Sequence, residues 1–407
     1  MKVLQINSVN QVGSTGRICT EITNYLNKNG MQGYIAYSKG LETEHGYKIG
    51  SPIETKMHGL FSRITGLQAY YSKKSTKRLL KYIEEIKPDV IHLHNLHANY
   101  INIIQLLQYI AEKNIPTVLT LHDCWFFTGK CCHYTVEGCY KWKTQCFRCP
   151  CKHKDNKSWF FDRTSKMYND KKTYFSKIPR LAVVGVSDWI TNEAKASLLA
   201  SAKIITRIYN WVDLELFRPV FVDNLKYKLG IQDKFIILGV ASGWSNAKGL
   251  HKFIELSELI PEDMIIVLVG KVHSVCLPSN IIHIDEIHNV HELVKYYSMA
   301  DVFVNLSLEE TFGKVTAEAL ACGTPVIVFN STANPELVGK GCGYIVHTNS
   351  TPEVMKKVLN IKINGKKTYS QNCIDFAKNN FNMQDRIFDY VQLYKKIINC
   401  EGIKTCQ

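Results

Sequence analysis

Two carboxylates flank a glycine bend in the segment Leu308-Glu-Glu-Thr-Phe-Gly-Lys-Val-Thr-Ala-Glu318. Glu310 precedes Gly313, and Glu318 follows Glu310 by eight positions on a predicted helix. The segment comes after a predicted strand, and doubly wound sheets bind ligands at the carboxyl ends of their strands. A glycine bend there exposes backbone N–H groups, and the helix N-terminus adds a partial positive charge, which suits a phosphate. The spacing lets one carboxylate contact a sugar ring while the other accepts hydrogen bonds from ribose hydroxyls.

A lysine lies at another strand-to-helix junction, in the segment Leu238-Gly-Val-Ala-Ser-Gly-Trp-Ser-Asn-Ala-Lys248. Lys248 can place a positive charge beside a diphosphate that must leave as an anion. Stabilising the negative charge that develops on a leaving group is usually the largest catalytic contribution in such a reaction. The alternative is an exposed lysine at a helix start, where its charge is slightly unfavourable. We therefore expect a functional role for Lys248.

Two further groups of residues follow predicted strands in the first half of the chain. Gly13 and Gly16 allow close backbone approach before the first helix, and Arg17 is either a phosphate contact or a helix-surface charge. His94 and His122 each end a strand, and of the two we expect His122 to lie near a bound ligand. The alternative for both histidines is a structural place in the core or a loop.

Six of the 14 cysteines lie within residues 131–151. Cys131, Cys139, Cys146 and Cys149 are separated by seven, six and two residues, and four thiolates in a loop-rich insert can hold a structural zinc ion. Further candidate ligands are Cys132, His133 and Cys151. Disulfides or inert buried thiols remain as alternatives. An Asp-x-Asp metal-ligand pair is absent from the sequence, so we expect no cofactor or metal ion for catalysis.

The elements that must position these residues alternate between strands and helices, as in a parallel sheet covered by helices. The first half is predicted to hold strands at 2–7, 33–37, 90–94, 117–122 and 181–186, with helices at 16–29, 76–86 and 102–113. The second half is predicted to hold strands at 235–240, 265–270, 281–284, 302–305 and 325–329, with helices at 250–259, 291–299 and 315–321. The fold class is therefore α/β, with two successive doubly wound, Rossmann-like domains.

The predicted boundaries follow from this pattern. We expect a first domain over residues 1–185, carrying a cysteine-rich basic insert at 123–180, and a second domain over 186–384. Residues 385–407 are expected to form a C-terminal helix that returns to the first domain.

In its motifs the chain resembles glycosyltransferase family 4, the retaining transferases of the GT-B fold. Their hallmark is a glutamate pair separated by seven residues and followed by Ala-Leu-Ala-Cys-Gly-x-Pro-Val, which Glu310 to Val326 match closely. The link at 210–219 and the loop of Lys248 also resemble the family. The family usually has an arginine upstream of this lysine, and here the loop has none.

The resemblance implies a GT-B architecture with a cleft between the domains, and it implies roles for the motif residues. Glu310 would contact the donor sugar, Glu318 the ribose, and Lys248 the diphosphate. Backbone amides around Gly313 to Val315 would hold the diphosphate, and Gly16, Arg17, Phe312 and Lys314 complete the expected donor site. His122 would lie close to the donor sugar.

The implied function is transfer of a sugar from a nucleotide-diphosphate donor, with retention of configuration, to a saccharide or polyprenyl-linked acceptor in cell-surface polysaccharide biosynthesis. Two alternatives stay open. One is a GT-B enzyme of the sugar phosphorylase type, and the other is a non-catalytic basic protein that binds nucleotide sugars or nucleic acid. Zinc-finger, RNP and basic-zipper patterns are absent from the sequence, so we do not expect a nucleic-acid partner.

The net charge of +14 lies entirely in the first part of the sequence. Residues 1–180 hold 27 lysines and arginines against 13 acidic residues, and residues 181–407 hold 23 of each. An anionic membrane surface attracts such basic segments, and a merely solvated basic face is the alternative. We see no segment of about 20 apolar residues and no signal peptide. We therefore expect a cytoplasmic protein that docks peripherally on the inner face of the cell membrane.

Overall fold

The computed structural model of the protein describes residues 1–154, 156–273 and 275–400. The chain forms two compact units, and each has its own sheet. The first unit comprises residues 1–208 together with the C-terminal segment from residue 387, and the second comprises residues 209–386. The predicted α/β class with two doubly wound units is confirmed.

The first unit contains a seven-stranded sheet in the order β3-β2-β1-β4-β5-β6-β7, with every pair of neighbours parallel. Its strands are β1 (Lys2–Asn10), β2 (Gln32–Gly40), β3 (Gly46–Lys48), β4 (Val90–Leu93), β5 (Thr117–Leu121), β6 (Leu181–Gly185) and β7 (Ile204–Arg207). The central strands β4 and β5 are buried at every residue because helices cover both faces of the sheet.

Six helices belong to the described part of this unit before residue 200. They are α1 (Gly13–Lys28), α2 (Pro52–Thr65), α3 (Lys73–Ile86), α4 (Ile103–Glu112), α5 (Thr164–Ser176) and α6 (Asp188–Lys195). Of those that lie before residue 180, α2 and α5 were not predicted from the hydrophobic pattern. Helix α2 begins with a capping box, in which Ser51 and Glu54 accept hydrogen bonds from each other's backbone N–H groups. Helix α5 lies inside the insert that we expected to be loop-rich.

The second unit contains a six-stranded parallel sheet in the order β10-β9-β8-β11-β12-β13. Its strands are β8 (Phe235–Gly243), β9 (Met264–Lys271), β10 (Ile281–Ile284), β11 (Val302–Asn305), β12 (Val326–Phe329) and β13 (Gly343–Val346). Its helices are α7 (Asp223–Leu229), α8 (Leu250–Ser257), α9 (Val290–Met299), α10 (Lys314–Ala321), α11 (Thr351–Asn364) and α12 (Lys367–Phe381).

The first boundary between the units lies later in the sequence than predicted, and the second differs by two residues. The first sheet continues past residue 185, because β7 pairs with β6 and extends the first unit to residue 208. In this pairing Ala182 lies opposite Ile204, and Gly185 lies opposite Arg207. Strand β7 is short and only half-buried, so its sequence shows little of the apolar run that marks the other strands.

The last helix of the described residues is α13 (Met383–Asn399), which packs into the first unit from Ile387 onward. The hydroxyl groups of Tyr390 and Tyr394 on this helix bond to Thr120 and to Nδ1 of His92. Residues 401–407 of the predicted C-terminal segment lie outside the described residues. In the part of the chain that the structure describes, no helix has the length and apolar character needed to cross a membrane.

Candidate functional site

The strand order of the second sheet places the two predicted donor loops side by side. Strand β8 is flanked by β9 on one side and by β11 on the other, so the winding direction of the sheet reverses between β8 and β11. Ligands of open α/β sheets bind at this switch point, beyond the carboxyl ends of the strands. The loop that follows β8 carries Lys248, and the loop that follows β11 carries Glu310 and Gly313.

The two loops are joined through their backbones. The N–H group of Leu308 donates a 2.9 Å hydrogen bond to the carbonyl of Ala247. Gly249 has a φ of +79°, and a Cβ atom at this position would lie 2.5 Å from the carbonyl oxygen of Leu306. A side chain at Gly249 would therefore separate the loops, and glycine lets Lys248 approach the end of β11.

Lys248 and Glu310 form an ion pair at the switch point. The Nζ atom of Lys248 donates to Oε1 of Glu310 at 2.5 Å, across 62 positions of sequence. The lysine side chain is 38% exposed and the glutamate side chain 16% exposed, so both are open to solvent on one side. The pair combines a cation that can meet a phosphate with a carboxylate that can accept hydrogen bonds from sugar hydroxyls.

Gly313 forms the bend that precedes α10. It has a φ of +91°, and a Cβ atom there would lie 2.8 Å from Cδ1 of the buried Leu337. Helix α10 begins directly afterwards and no side chain caps it within the described chain. The first N–H groups of a helix lack intrahelical partners and carry partial positive charge, so this end of α10 can accept an anion.

A buried polar network fixes the loop between β11 and α10. The amide of Asn305 donates to Thr316, and its carbonyl oxygen accepts from the N–H group of Ser307. The amide of Asn334 donates to the Ser307 carbonyl at 3.1 Å. The N–H group of Glu310 donates to the hydroxyl of Thr332 at 2.8 Å. These bonds hold the Glu310 backbone in place without occupying its carboxylate.

Glu318 lies on α10 and is only 7% exposed. Its Oε2 atom accepts a 2.8 Å hydrogen bond from the hydroxyl of Tyr297 on α9. Burial and the Glu318 carboxylate together raise the pKa of Tyr297 well above its usual value, so the phenol remains a neutral donor. The contact fixes the rotamer of Glu318, and its predicted role on the ribose stays a prediction.

The remaining predicted donor residues of this unit lie along the same turn. Lys314 and Val315 are half-buried in the first turn of α10. The ring of Phe312 is buried against Tyr209 and Phe381, at centroid distances of 5.9 and 5.4 Å. The Phe312 side chain therefore anchors the bend in the core, and a contact with a ligand from this residue would come from its backbone.

In the first sheet the winding direction reverses between β1 and β4. The predicted site residues of the first unit follow strands near this switch point. Gly16 is buried in α1, where an added Cβ atom would lie 3.2 Å from the backbone nitrogen of Gln11. Arg17 is exposed on the same helix. The predicted residues Gly16 and Arg17 thus lie beyond the end of β1, one packed and one open to solvent.

A chain of imidazole groups crosses the sheet at this end. Nδ1 of His94 lies 2.9 Å from Nε2 of His122, and Nε2 of His94 lies 3.1 Å from Oε1 of Gln5. Burial lowers the pKa of His122 to about 4 and that of His94 well below its usual value. Both imidazoles are therefore neutral at physiological pH and can act as hydrogen-bond donors or acceptors, but not as cations.

The first unit also contains a second polar cluster, which was not predicted from the sequence. Nε2 of His97 lies 2.8 Å from Oδ2 of Asp123, and the ligand atoms of His97, Asp123 and Cys132 all lie within 4.8 Å of one another. The backbone N–H group of Trp125 donates to the other carboxylate oxygen of Asp123. The sequence feature that could have indicated this cluster is Asp123, an acidic residue that directly follows His122 at the end of a predicted strand.

The structure separates the clustered cysteines. Cys131, Cys139, Cys146 and Cys149 line one small cavity in the insert, together with Trp142. Cys132 is adjacent to Cys131 in sequence but lies beside His97 and Asp123 instead.

The chain belongs to the group 1 glycosyltransferases. The family model described as Glycosyltransferase Family 4 matches residues 15–216, and the model described as Glycosyl transferases group 1 matches residues 221–380. The two matches follow one another along the chain and agree with the two units of the structure.

Individual relatives are distant. The chain is 26% identical over 282 residues to the protein that bears the name colanic acid biosynthesis glycosyl transferase WcaC in Escherichia coli (strain K12), covering 67% of this chain and 66% of that protein. It is 23% identical over 392 residues to a 41.2 kDa protein in the cps region of Klebsiella pneumoniae, covering 93% and 96%. The chain spans 49% to 66% of the length of the first three curated relatives that it matches.

Solved structures share the fold. The structure of Anabaena Alr3699/HepE in complex with UDP has a TM-score of 0.69 at 15% identity, covering 97% of this chain and 100% of that chain. A second structure of the same protein, in complex with UDP-glucose, has a TM-score of 0.66 at 16% identity, with the same coverage of both chains. The GT-B fold is thereby confirmed.

Proposed function

We propose that the protein transfers a sugar from a nucleotide-diphosphate donor to a lipid-linked or free saccharide acceptor, with retention of configuration, in cell-surface polysaccharide biosynthesis. The observation that carries the proposal is the ion pair of Lys248 and Glu310 beside the uncapped N-terminus of α10. The HepE structures, which contain UDP and UDP-glucose, support the choice of a nucleotide sugar as donor.

In the proposed mechanism, the donor diphosphate binds at the start of α10 and draws Lys248 toward its oxygens. The bond between the anomeric carbon and the phosphate oxygen breaks, and the developing negative charge is stabilised by Lys248 and by the N–H groups of the first helical turn. Glu310 accepts hydrogen bonds from hydroxyls of the donor sugar. The acceptor hydroxyl attacks from the same face and its proton passes to the leaving phosphate.

We infer that Glu310 positions the sugar and is not a covalent nucleophile. Its carboxylate is held by Lys248, and its backbone is fixed by hydrogen bonds to Thr332 and Ala333. This arrangement suits a group that orients a ring through its hydroxyls. The loop after β8 lacks the arginine that the family usually has, so in this proposal leaving-group stabilisation rests on Lys248, the N-terminus of α10 and Lys314.

An acceptor carrying anionic groups at a membrane is supported by a cavity in the first unit. The cavity has a volume of about 380 Å³ and its lining includes the side chains of Arg63, Lys130 and Lys157. Ser62 also lines it, and the buried hydroxyl of Ser62 has no hydrogen-bond partner in the described chain. A phosphate group would accept a hydrogen bond from the Ser62 hydroxyl and would meet the positive charges of Arg63 and Lys157.

An exposed apolar surface adjoins this cavity. We define it as the outward stripe of α2 together with three aromatic residues of the insert, namely Ile53, Met57, Leu60, Phe61, Trp159, Phe160 and Phe161. The N–H group of Trp159 donates to the carbonyl of Arg63, which joins the two parts. Lys56 and Arg63 on α2 and Lys157 near Trp159 in sequence are exposed. The apolar surface can therefore enter a lipid interface while these cations meet anionic headgroups.

The test uses the full chain with UDP-, GDP- and ADP-sugars and a lipid extract that contains polyprenyl-linked saccharides. We expect one donor to be consumed, with release of the nucleoside diphosphate, and we expect Glu310→Ala to abolish most of this release. The matched control is Glu309→Ala, which removes the neighbouring carboxylate and should leave most activity. Turnover that requires inorganic phosphate and yields a sugar phosphate would point to a phosphorylase and refute the proposal.

A further inference from the structure

The polar cluster of His97, Asp123 and Cys132 has the ligand atoms of a metal site. Among the described residues, it is the one group of at least three histidine, cysteine and acidic side chains whose ligand atoms all lie within 4.8 Å of one another. The four cysteines predicted from the sequence as zinc ligands do not form such a group in the described chain, although the sulfur atoms of Cys131 and Cys149 lie 3.8 Å apart. The search for a metal site in the first unit therefore leads to this cluster.

The three side chains supply one nitrogen, one oxygen and one sulfur ligand. Zinc binds all three kinds of ligand, whereas magnesium and calcium take oxygen ligands. A carboxylate and a thiolate together neutralise Zn²⁺, and a neutral imidazole adds no charge. Because Asp123 is buried and the other two residues are half-buried, a complex with no net charge suits this position.

The spacing of the ligand atoms is close to that of a zinc complex. With metal–ligand distances of about 2.0–2.3 Å, two ligands of a tetrahedral zinc ion lie about 3.3–3.6 Å apart. Nε2 of His97 lies 2.8 Å from Oδ2 of Asp123, and every pair of ligand atoms in the cluster lies within 4.8 Å. Side-chain shifts of about 1 Å would therefore bring all three atoms to a single ion.

Backbone hydrogen bonds orient two of the ligands. Oδ1 of Asp123 accepts a 2.8 Å hydrogen bond from the N–H group of Trp125, which leaves Oδ2 directed at His97. The N–H group of Cys124 donates to the carbonyl of Cys132 at 2.9 Å, so Cys132 is tied to the residue that follows Asp123. Metal ligands are commonly held by outer hydrogen bonds of this kind.

A buried lysine holds the loop that connects these two ligands. Nζ of Lys171 donates to the carbonyl of Trp125 at 2.5 Å and to that of Thr128 at 3.0 Å. The same atom lies 3.6 Å from the centroid of the Trp125 ring. These contacts fix the loop without help from an ion, so the ligands are positioned before the metal binds.

The cluster adjoins the cavity of about 380 Å³ in the first unit. Asn156 and Gln68 both line that cavity. Nδ2 of Asn156 donates to Sγ of Cys132 at 3.7 Å, and Nε2 of Gln68 donates to the carbonyl of His97 at 2.7 Å. A thiolate accepts from an amide N–H group more strongly than a thiol does, so the Asn156 contact favours the form of Cys132 that binds a metal.

We propose that His97, Asp123 and Cys132 bind one zinc ion, with its fourth position open to solvent. As the ion binds, the thiol of Cys132 gives its proton to solvent, and the neutral imidazole of His97 carries its proton on Nδ1 while Nε2 binds the metal. The hydrogen bond between His97 and Asp123 is replaced by a metal bond to each. The ion would join the loop after β4 to the loop after β5. The site does not depend on the proposed sugar transfer, and its test reads metal content.

The experiment is elemental analysis of the full chain, purified without chelators and dialysed after incubation with zinc chloride. We expect one zinc ion per chain. Cobalt in place of zinc should give a thiolate-to-metal charge-transfer band, which reports sulfur ligation in the unaltered protein. A folded chain that retains no zinc, or a cobalt-loaded chain without this band, would overturn the proposal.

Variants identify the ligands. Asp123→Asn and Cys132→Ser should each lose stoichiometric zinc, and both should still melt cooperatively in the presence of a chelator, because Lys171 holds the loop without the ion. Cys131→Ser is the matched control, since this residue precedes Cys132 directly but its sulfur lies beside that of Cys149. Zinc retained in Cys132→Ser but lost in Cys131→Ser would assign the metal to other cysteines and contradict the ligand set.

Discussion

Replacing Lys248 by methionine separates the catalytic role that we propose for this residue from its structural role. The Lys248–Glu310 ion pair is partly solvated, because the lysine side chain is 38% exposed. Exposed ion pairs contribute about 0–1 kcal/mol to stability, so the variant should fold with nearly normal stability. Methionine keeps most of the aliphatic length of the side chain, which limits other changes.

The effect on transfer should be much larger. A group that stabilises charge only in the transition state contributes about 2.7–4 kcal/mol, which corresponds to a rate loss of roughly 10²–10³-fold. The uncapped start of α10 remains in the variant and accounts for the residual rate. We therefore expect a fall in kcat of this order, with a change of no more than about 1 kcal/mol in the free energy of unfolding.

Lys252→Met is the matched control. Lys252 lies four positions further along, on α8, and forms a similar ion pair with Glu255 at 2.8 Å. Urea unfolding and steady-state release of nucleoside diphosphate are measured on wild type and on both variants. The assignment is refuted if Lys248→Met retains near-normal kcat, or if Lys252→Met loses activity to the same extent.

Three further predictions follow from the geometry. Gly313→Ala should lose about 2–4 kcal/mol of stability in urea unfolding, because the new Cβ atom collides with a buried side chain and the backbone is left-handed. Gly230 also has a left-handed φ of +67°, but a Cβ atom there would have no neighbour within 4 Å, so Gly230→Ala should lose only about 1–2 kcal/mol. Phe160→Ser should weaken sedimentation with phosphatidylglycerol vesicles, whereas Phe221→Ser, an exposed residue of the second unit, should not, and equal binding by both would contradict the docking surface. Burial lowers the pKa of His122 to about 4 in the folded chain, against about 6.5 in the unfolded chain, so the unfolded state binds more protons between pH 6.5 and pH 4. The free energy of unfolding should therefore fall by up to about 1.4 kcal/mol per pH unit as the pH is lowered through this window, and it should fall by less in His122→Gln.

The positions of strands could be predicted from the sequence where a short apolar run is followed directly by turn-forming residues. Buried parallel strands are short apolar runs followed by turn residues, and the central strands of both sheets were predicted on that basis. Helix α11 was missed although its buried residues recur at helical spacing and Pro352 lies in its first turn, so a signal was present. Strand β7 and helix α7 gave little signal, because neither is deeply buried.

Candidate site residues could be named one by one from the sequence, but which of them lie together could not be predicted. Lys248 and Glu310 meet because β8 and β11 are neighbours, and strand order is a tertiary property that no local pattern encodes. The same limit applies to Cys131 and Cys132, which are adjacent in sequence and face different surroundings. The polar cluster of His97 and Asp123 also depends on which strands are adjacent.

The central claim is that the second unit binds a nucleotide sugar through the turn between β11 and α10. Its most direct test is calorimetric titration of the full chain with the donor, comparing wild type with Glu318→Gln. We expect one binding site per chain, and an affinity about tenfold weaker in the variant because one charge-assisted hydrogen bond is lost. Equal affinities in the two proteins, or no binding of any nucleotide sugar, would contradict the account.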